Sequence, residues 1–479
     1  MQTPIEISKN HIINNHIISI PLTFSTIPTI EKLKCNIMQC GNTNCKSPLI
    51  NSKKCVICQQ QTNATDVPLT NHSVQIILDD NKTKEPESIT VFAIDCSGSM
   101  DEENRLLSMK SLLLHYVENN GYEHPNERLC IILFDTDVTI YGDGTFEPIR
   151  IPSYSTIDEI VKLVEKVPEI KKMNECKDQL NKVIKNIQPS GLTCGVSALF
   201  ASTLIAARYG GKVFLCTDGS SNRGIALDGT NLNMIMEKAQ EGGVSINCYS
   251  FGDCATFIEP YEVFETKKLG SIHKLKGTID VEKSNEAFIP SLKSETFGKN
   301  GTMKVHVPAF VELVDGNKQY PVLNDLIEDT VELKIIDADQ MKRNSEVTVL
   351  ITIGYTDSCG RFVMFVLEKI IKISNILNDE GMSVFKYELA AKMKETFLEK
   401  KNYNEALAVI NEYKLMKLEL SHDNHETFET IIGYFADTAE EMKDVDEDEL
   451  EEKEKIIKDF IETSLLKQTG GSNYLKQGN

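Results

Sequence analysis

Asp95, Ser97 and Ser99 alternate with Cys96 and Gly98 directly after the apolar run of residues 89–94. A carboxylate and two hydroxyls at this spacing put hard oxygen ligands on one loop, which is half of a site for a divalent cation. Magnesium takes near-octahedral oxygen coordination and keeps some of its waters, so other loops must complete the shell. Thr193, in Gly191-Leu192-Thr193, opens a small-residue helix, and Asp218, in Asp218-Gly219, closes the apolar strand of residues 212–217. Asp95, Ser97, Ser99, Thr193 and Asp218 are therefore the candidate ligands for Mg2+, with Mn2+ or Ca2+ as alternatives. Ligands of an open parallel sheet bind beyond the carboxyl ends of its strands, which is where these three loops would meet.

A second set of ligands is softer. Cys35, Cys40, Cys45, Cys55 and Cys58 fall in one short, loop-like segment, with Cys55 and Cys58 as a tight pair and Cys40 and Cys45 as a wider one. Two such pairs close a tetrahedral thiolate shell around zinc, and a shell filled by protein is structural because it leaves no open position for catalysis. The metal then replaces the core that so short a segment lacks. The expected ligands are Cys40, Cys45, Cys55 and Cys58, with Cys35 able to stand in for Cys40.

The other cysteines of the thirteen, such as Cys130, Cys216 and Cys248, are scattered through predicted strands and helices. That suits small buried hydrophobes in a reducing compartment and points to a cytoplasmic chain. No serine is paired to a histidine by motif, and no glycine loop ends in Gly-Lys-Ser/Thr. The chemistry is coordination, and no enzymatic turnover is expected.

The elements that must hold these residues follow from the period of the apolar side chains. A strand ends at Asp95, and a helix from about Arg105 carries Leu106, Met109, Leu113 and Val117 on one face. A strand over 128–134 turns through Asp135, Thr136 and Asp137 into a short antiparallel strand, which leaves Asp137 on the metal-bearing rim within reach of a partner. Ile157, Ile160, Val161 and Val164 form an inserted helix, expected on the opposite rim. Asp253 and Cys254 fall in a loop. Short β-rich runs separated by Gly, Asn and Asp turns from 303 to 373 predict an antiparallel sandwich, and beyond 378 the pattern is helical. Residues 437–452 are strongly acidic, as a solvated linker or helix face would be.

With these residues in view, positions 88–275 resemble a von Willebrand factor A domain with a metal-ion-dependent adhesion site. The resemblance rests on Asp95-Cys96-Ser97-Gly98-Ser99, the Thr193 loop, Thr217-Asp218-Gly219 and the strand–helix alternation. It implies that Ser97, Ser99 and Thr193 offer hydroxyls to the metal, that Asp95 and Asp218 bind directly or through water, and that a partner protein donates an Asp or Glu to the free position. Residues 40–63 resemble the zinc finger of COPII inner-coat subunits, matching in Cys45-Lys46-Ser47-Pro48-Leu49-Ile50-Asn51 and Cys55 to Cys58. In that coat the finger precedes an A-type trunk, a sandwich and a helical domain.

The resulting expectation is an α/β chain with a doubly wound, mostly parallel, Rossmann-like sheet. Its layout would be an N-terminal segment (1–34), a zinc finger (35–63), a linker (64–87), an A domain (88–275), a β-sandwich (276–378), a helical region with the acidic stretch (379–466) and a disordered tail (467–479). The function implied is an adaptor or scaffold that captures a partner carboxylate through metal. The alternatives are a COPII-like coat component in vesicle transport, associated with a membrane assembly, and a ubiquitin-ligase-related protein. A RING needs eight ligands, and the segment has five cysteines and no nearby histidine. The formal charge of -20 argues against nucleic-acid binding, and no apolar run reaches the ~20 residues of a transmembrane segment.

Overall fold

The computed structural model describes residues 5–8, 12, 17–27, 30–34, 37–49, 54–61, 73–78, 88–123, 127–219, 221–251, 255–275, 288, 290–374, 376–377, 379–415, 419–420, 422–443 and 447–461. Cys35, Asp253, Cys254 and the tail 467–479 lie outside these residues.

Most of the first strands find partners far downstream. β1 (Ile5–Ser8), β2 (Ile17–Thr23), β3 (Lys32–Leu33) and β4 (Ser73–Ile77) come before any helix of the described residues. In β2, Ile18, Ile20 and Leu22 share one face and are buried. Pro21 fits there because β2 is the edge of its sheet and that position need not donate.

Strand–helix alternation follows. β5 (Ile89–Asp95) leads through a 3-10 turn (Gly98–Asn104) into α1 (Arg105–Glu123). β6 (Arg128–Phe134), β7 (Val138–Gly142) and β8 (Ile149–Ile151) come next, followed by α2 (Ile157–Glu165), α3 (Met173–Lys185) and α4 (Gly195–Ala206). β9 (Gly211–Thr217), α5 (Gly229–Gly242), β10 (Val244–Phe251) and β11 (Gly270–Leu275) complete a seven-stranded sheet in the order β11-β10-β9-β5-β6-β7-β8. β11 to β6 are parallel in that order, and β7 and β8 are antiparallel. β5, β6, β9 and β10 are buried almost throughout because helices cover both faces, which is why they read as continuous apolar runs.

Six further strands are β12 (Thr296–His306), β13 (Val311–Leu313), β14 (Gln319–Asn324), β15 (Glu328–Ile335), β16 (Glu346–Asp357) and β17 (Phe362–Ser374). They build a sheet in the order β14-β12-β16-β17-β4-β3, with β1 also on β17, and a facing sheet β13-β15-β2. A shared core that includes Ile20, Tyr320, Val331, Ile351 and Phe365 fills the space between them.

These pairings correct the expectation of a doubly wound, mostly parallel chain. The β12–β14, β12–β16, β16–β17, β17–β4, β13–β15 and β15–β2 ladders are all antiparallel, so the fold is α/β with mixed helices and mostly antiparallel sheets. Parallel pairing needs a crossover of a dozen or more residues, and the helices that supply such crossovers are concentrated between 95 and 270.

The two halves are pinned together. Asp329, at the start of β15, accepts from Lys318 at 3.0 Å, from the Tyr320 hydroxyl at 2.7 Å and from Lys268, which precedes β11. Burial pushes the Asp329 carboxyl up, but these bonds outweigh it and hold the group below its usual range. The helix Asp379–Met393 packs on β1 and β2, and further helices form a separate core around Phe397, Tyr413 and Phe435.

Candidate functional site

The four-cysteine segment folds as two turns of the same kind. Lys46 follows Cys45 with φ 47°, and Gln59 follows Cys58 with φ 61°, so each pair ends on a left-handed residue that turns the backbone back. Bridges at Gln39–Pro48 and Lys54–Gln61 close the two turns. Cys40, Cys45, Cys55 and Cys58 place all four sulfurs within 4.8 Å of one another, with Cys40–Cys58 at 3.5 Å and Cys45–Cys55 at 3.7 Å. A tetrahedral shell with Zn–S of ~2.3 Å has edges of about 3.8 Å, so the set fits such an ion and can chelate a metal.

Ser47 was not singled out by the sequence. Its hydroxyl lies 3.1 Å from Cys55 Sγ and 3.3 Å from Cys45 Sγ. Burial pushes the Cys55 thiol up, but the bond from Ser47 and the backbone groups of Cys58 and Ile57 outweigh it and bring the thiol down to about 7. Burial pushes Cys40 up to about 12. Leu49 and Ile57 anchor the segment on Val74, Ile76, Leu350 and Val366 of the large antiparallel sheet, and His306 at the end of β12 meets the Cys45 carbonyl at 3.3 Å.

The rim of the parallel sheet brings together Asp95, Ser97, Ser99 and Asp218. β5 and β9 are neighbours, with Ile94 opposite Cys216, so the residues that follow them emerge side by side. Asp95 is fully buried and accepts from the Ser97 amide at 2.8 Å and the Thr217 hydroxyl at 2.5 Å. Burial raises its carboxyl to about 6 against the pull of these bonds. Ser97 Oγ is 3.2 Å from Ser99 Oγ, and Ser99 donates to Asp218 at 2.8 Å.

Thr193 is held through its backbone. Its amide donates to Asn222, and its carbonyl accepts from the Asn222 and Arg223 amides. Gly191, with φ 73°, is required beside it, because a Cβ there would fall 2.5 Å from the Thr136 hydroxyl. Asp137 is occupied by Arg150 and by the Ser153 amide, which hold its carboxyl low although burial pulls the other way. That contact also shows that α2 begins on the metal-bearing rim and not on the opposite one, because β8 carries the chain back.

Arg105 is the rim residue that the motif did not include. Its guanidinium donates to Asp218 at 2.7 Å, with side-chain exposures of 12% and 0% for Arg105 and Asp218. A sequence signal existed: a cation in the first turn of a helix opposes the macrodipole and so needs a partner. Ser97, Ser99 and Asp218 form a chain of hydrogen-bonded oxygens, but the Asp218 carboxylate is already neutralised by the Arg105 guanidinium. The set does not fit a resident dication.

One further cluster pairs serine with histidine, where the sequence offered no such motif. His273 Nε2 is 2.8 Å from Ser271 Oγ and 3.4 Å from Ser291 Oγ. The ring stacks on Tyr249 at 4.3 Å, and burial lowers its pKa to about 4, too low for efficient proton transfer near neutrality. Among the described residues, no helix is long and apolar enough to cross a membrane.

No protein-family model matches this chain, and no curated protein matches it by sequence. Solved structures do match by shape. The human COPII-coat protein Sec24c aligns over 90% of this chain and 69% of its own, with 13% identity and a TM-score of 0.60. A von Willebrand factor type A protein from Catenulispora acidiphila aligns over 76% of this chain and 84% of its own, with 12% identity and a TM-score of 0.43. At these identities the first likeness speaks to fold alone, and the second is too loose in shape to carry an argument.

Proposed function

We propose that this chain is a non-catalytic interaction scaffold of a COPII-like coat, acting on protein partners in the cytoplasm. The observation that carries the reading is the extent of the structural likeness to a COPII-coat protein, which covers 90% of the chain. The four-cysteine cluster supports it, since its spacing suits a structural zinc that staples the segment to the large antiparallel sheet. Metal-dependent capture of a partner Asp or Glu at the rim is the finer alternative, and the Arg105–Asp218 pair weighs against it.

The test is crosslinking of the tagged chain on isolated vesicle membranes, followed by capture. Coat subunits with an A-type trunk should be recovered, and the chain should co-fractionate with vesicles. Recovery only from the membrane-free fraction, without any such subunit, would sink the coat reading. Repeating the capture after dialysis into magnesium-free buffer separates the two alternatives: partners stay if the scaffold is metal-independent and leave if a rim metal holds them.

A further inference from the structure

The rim gathers two carboxylates on neighbouring loops, and a counter-charge for them comes from within the chain. We infer that Arg105 takes the place of the divalent cation, so that this rim is closed by an internal ion pair and binds no metal in the native protein. The inference stands independently of the coat-like reading.

Three observations carry it. Arg105 is the first residue of α1 and follows Asn104, whose φ of 58° is left-handed, so the chain reverses between the 3-10 turn and the helix. That position faces the positive end of the helix, where a cation is disfavoured unless another charge holds it. Asp218 is that charge, at 2.7 Å.

The second observation is burial. The Asp218 side chain has no exposed surface and Arg105 keeps 12%, so the pair is shielded from water, and separating it would leave a buried charge without its opposite. The third is charge balance. Asp95 and Asp218 supply two negative charges, and Arg105 already supplies one positive. A dication among Asp95, Ser97, Ser99 and Asp218 would sit beside the guanidinium that already pairs with Asp218. Like charges at that range in a low-dielectric site repel strongly, so metal entry requires Arg105 to be driven out. The Ser97 amide and the hydroxyls of Ser97 and Ser99 then act as links in a hydrogen-bonded loop from Asp95 to Asp218.

The experiment is Mn2+ titration of the full chain, with its cysteine site metal-loaded, followed by electron paramagnetic resonance. Wild type should show no Mn2+ binding that Ser97→Ala removes. Arg105→Gln should gain a site roughly tenfold or more tighter than any that Ser97→Ala affects in wild type, because the repelling charge is gone. Adding Ser97→Ala to Arg105→Gln should abolish that site, and Arg105→Lys, which keeps the charge, should not create it. Ser97-dependent Mn2+ binding by wild type overturns the inference without recourse to any Arg105 variant. So does a folded Arg105→Gln protein that gains no site.

Discussion

The cysteine segment and the rim of the parallel sheet both gather side chains able to bind metal, and they differ in what balances them. In the segment, the four sulfurs meet one another, the Ser47 hydroxyl and backbone amides but no cationic side chain among their described contacts, and their charge as thiolates is of the kind a dication neutralises. At the rim the carboxylate of Asp218 already has Arg105. A motif records which ligand atoms are present, whereas the electrostatics of the assembled site decide whether an ion is wanted there.

The sharpest break in this comparison comes from removing metal. Purified, reduced protein should carry about one zinc per chain, and Cys55→Ser or Cys58→Ser should abolish it, a loss on the order of 10 kcal/mol of binding free energy. Circular dichroism should show the parallel sheet still folded, since it has its own core. Absence of zinc from such protein by elemental analysis would remove the distinction between the two regions.

Acid should act on the sheet through His273. Its folded pKa of about 4 lies below the ordinary 6.5, so the unfolded chain binds the proton more readily. This term is absent above about pH 6.5, grows as the pH falls, and is complete below about pH 4, where it costs about 3 kcal/mol. Urea unfolding of wild type and His273→Gln at pH 7, 5 and 4 checks it. The gap between the two proteins should shift in favour of the variant as the pH falls, and a constant gap would contradict the assignment.

A smaller effect tests how the segment tunes its ligands. Ser47→Ala removes the hydroxyl shared by Cys45 and Cys55 and should weaken zinc about 10- to 100-fold, the usual cost of losing a partner of a metal ligand. Competition with a chromophoric chelator measures this. Unchanged affinity would reduce Ser47 to a packing residue, while Ser47→Thr should restore most of the loss.

Much of the cysteine site is legible in the primary structure because its ligands are close along the chain. Cys40 and Cys58 are 18 residues apart, and two short turns suffice to bring their sulfurs together. Buried strands such as residues 89–95 and 211–217 are legible for a similar reason, since burial on both faces leaves an unbroken apolar run.

What the tertiary structure alone decided are the pairings across long separations. β2 joins the sandwich by pairing with β15 and β4 by pairing with β17, and nothing local in residues 17–23 or 73–77 specifies a partner some three hundred residues away. The same holds for Arg105 and Asp218, 113 residues apart. Local spacing determines which atoms can chelate, because covalent geometry limits where nearby residues go. Which charges meet in a buried rim follows only from how strands and helices pack, and here that packing set the Arg105 guanidinium against Asp218.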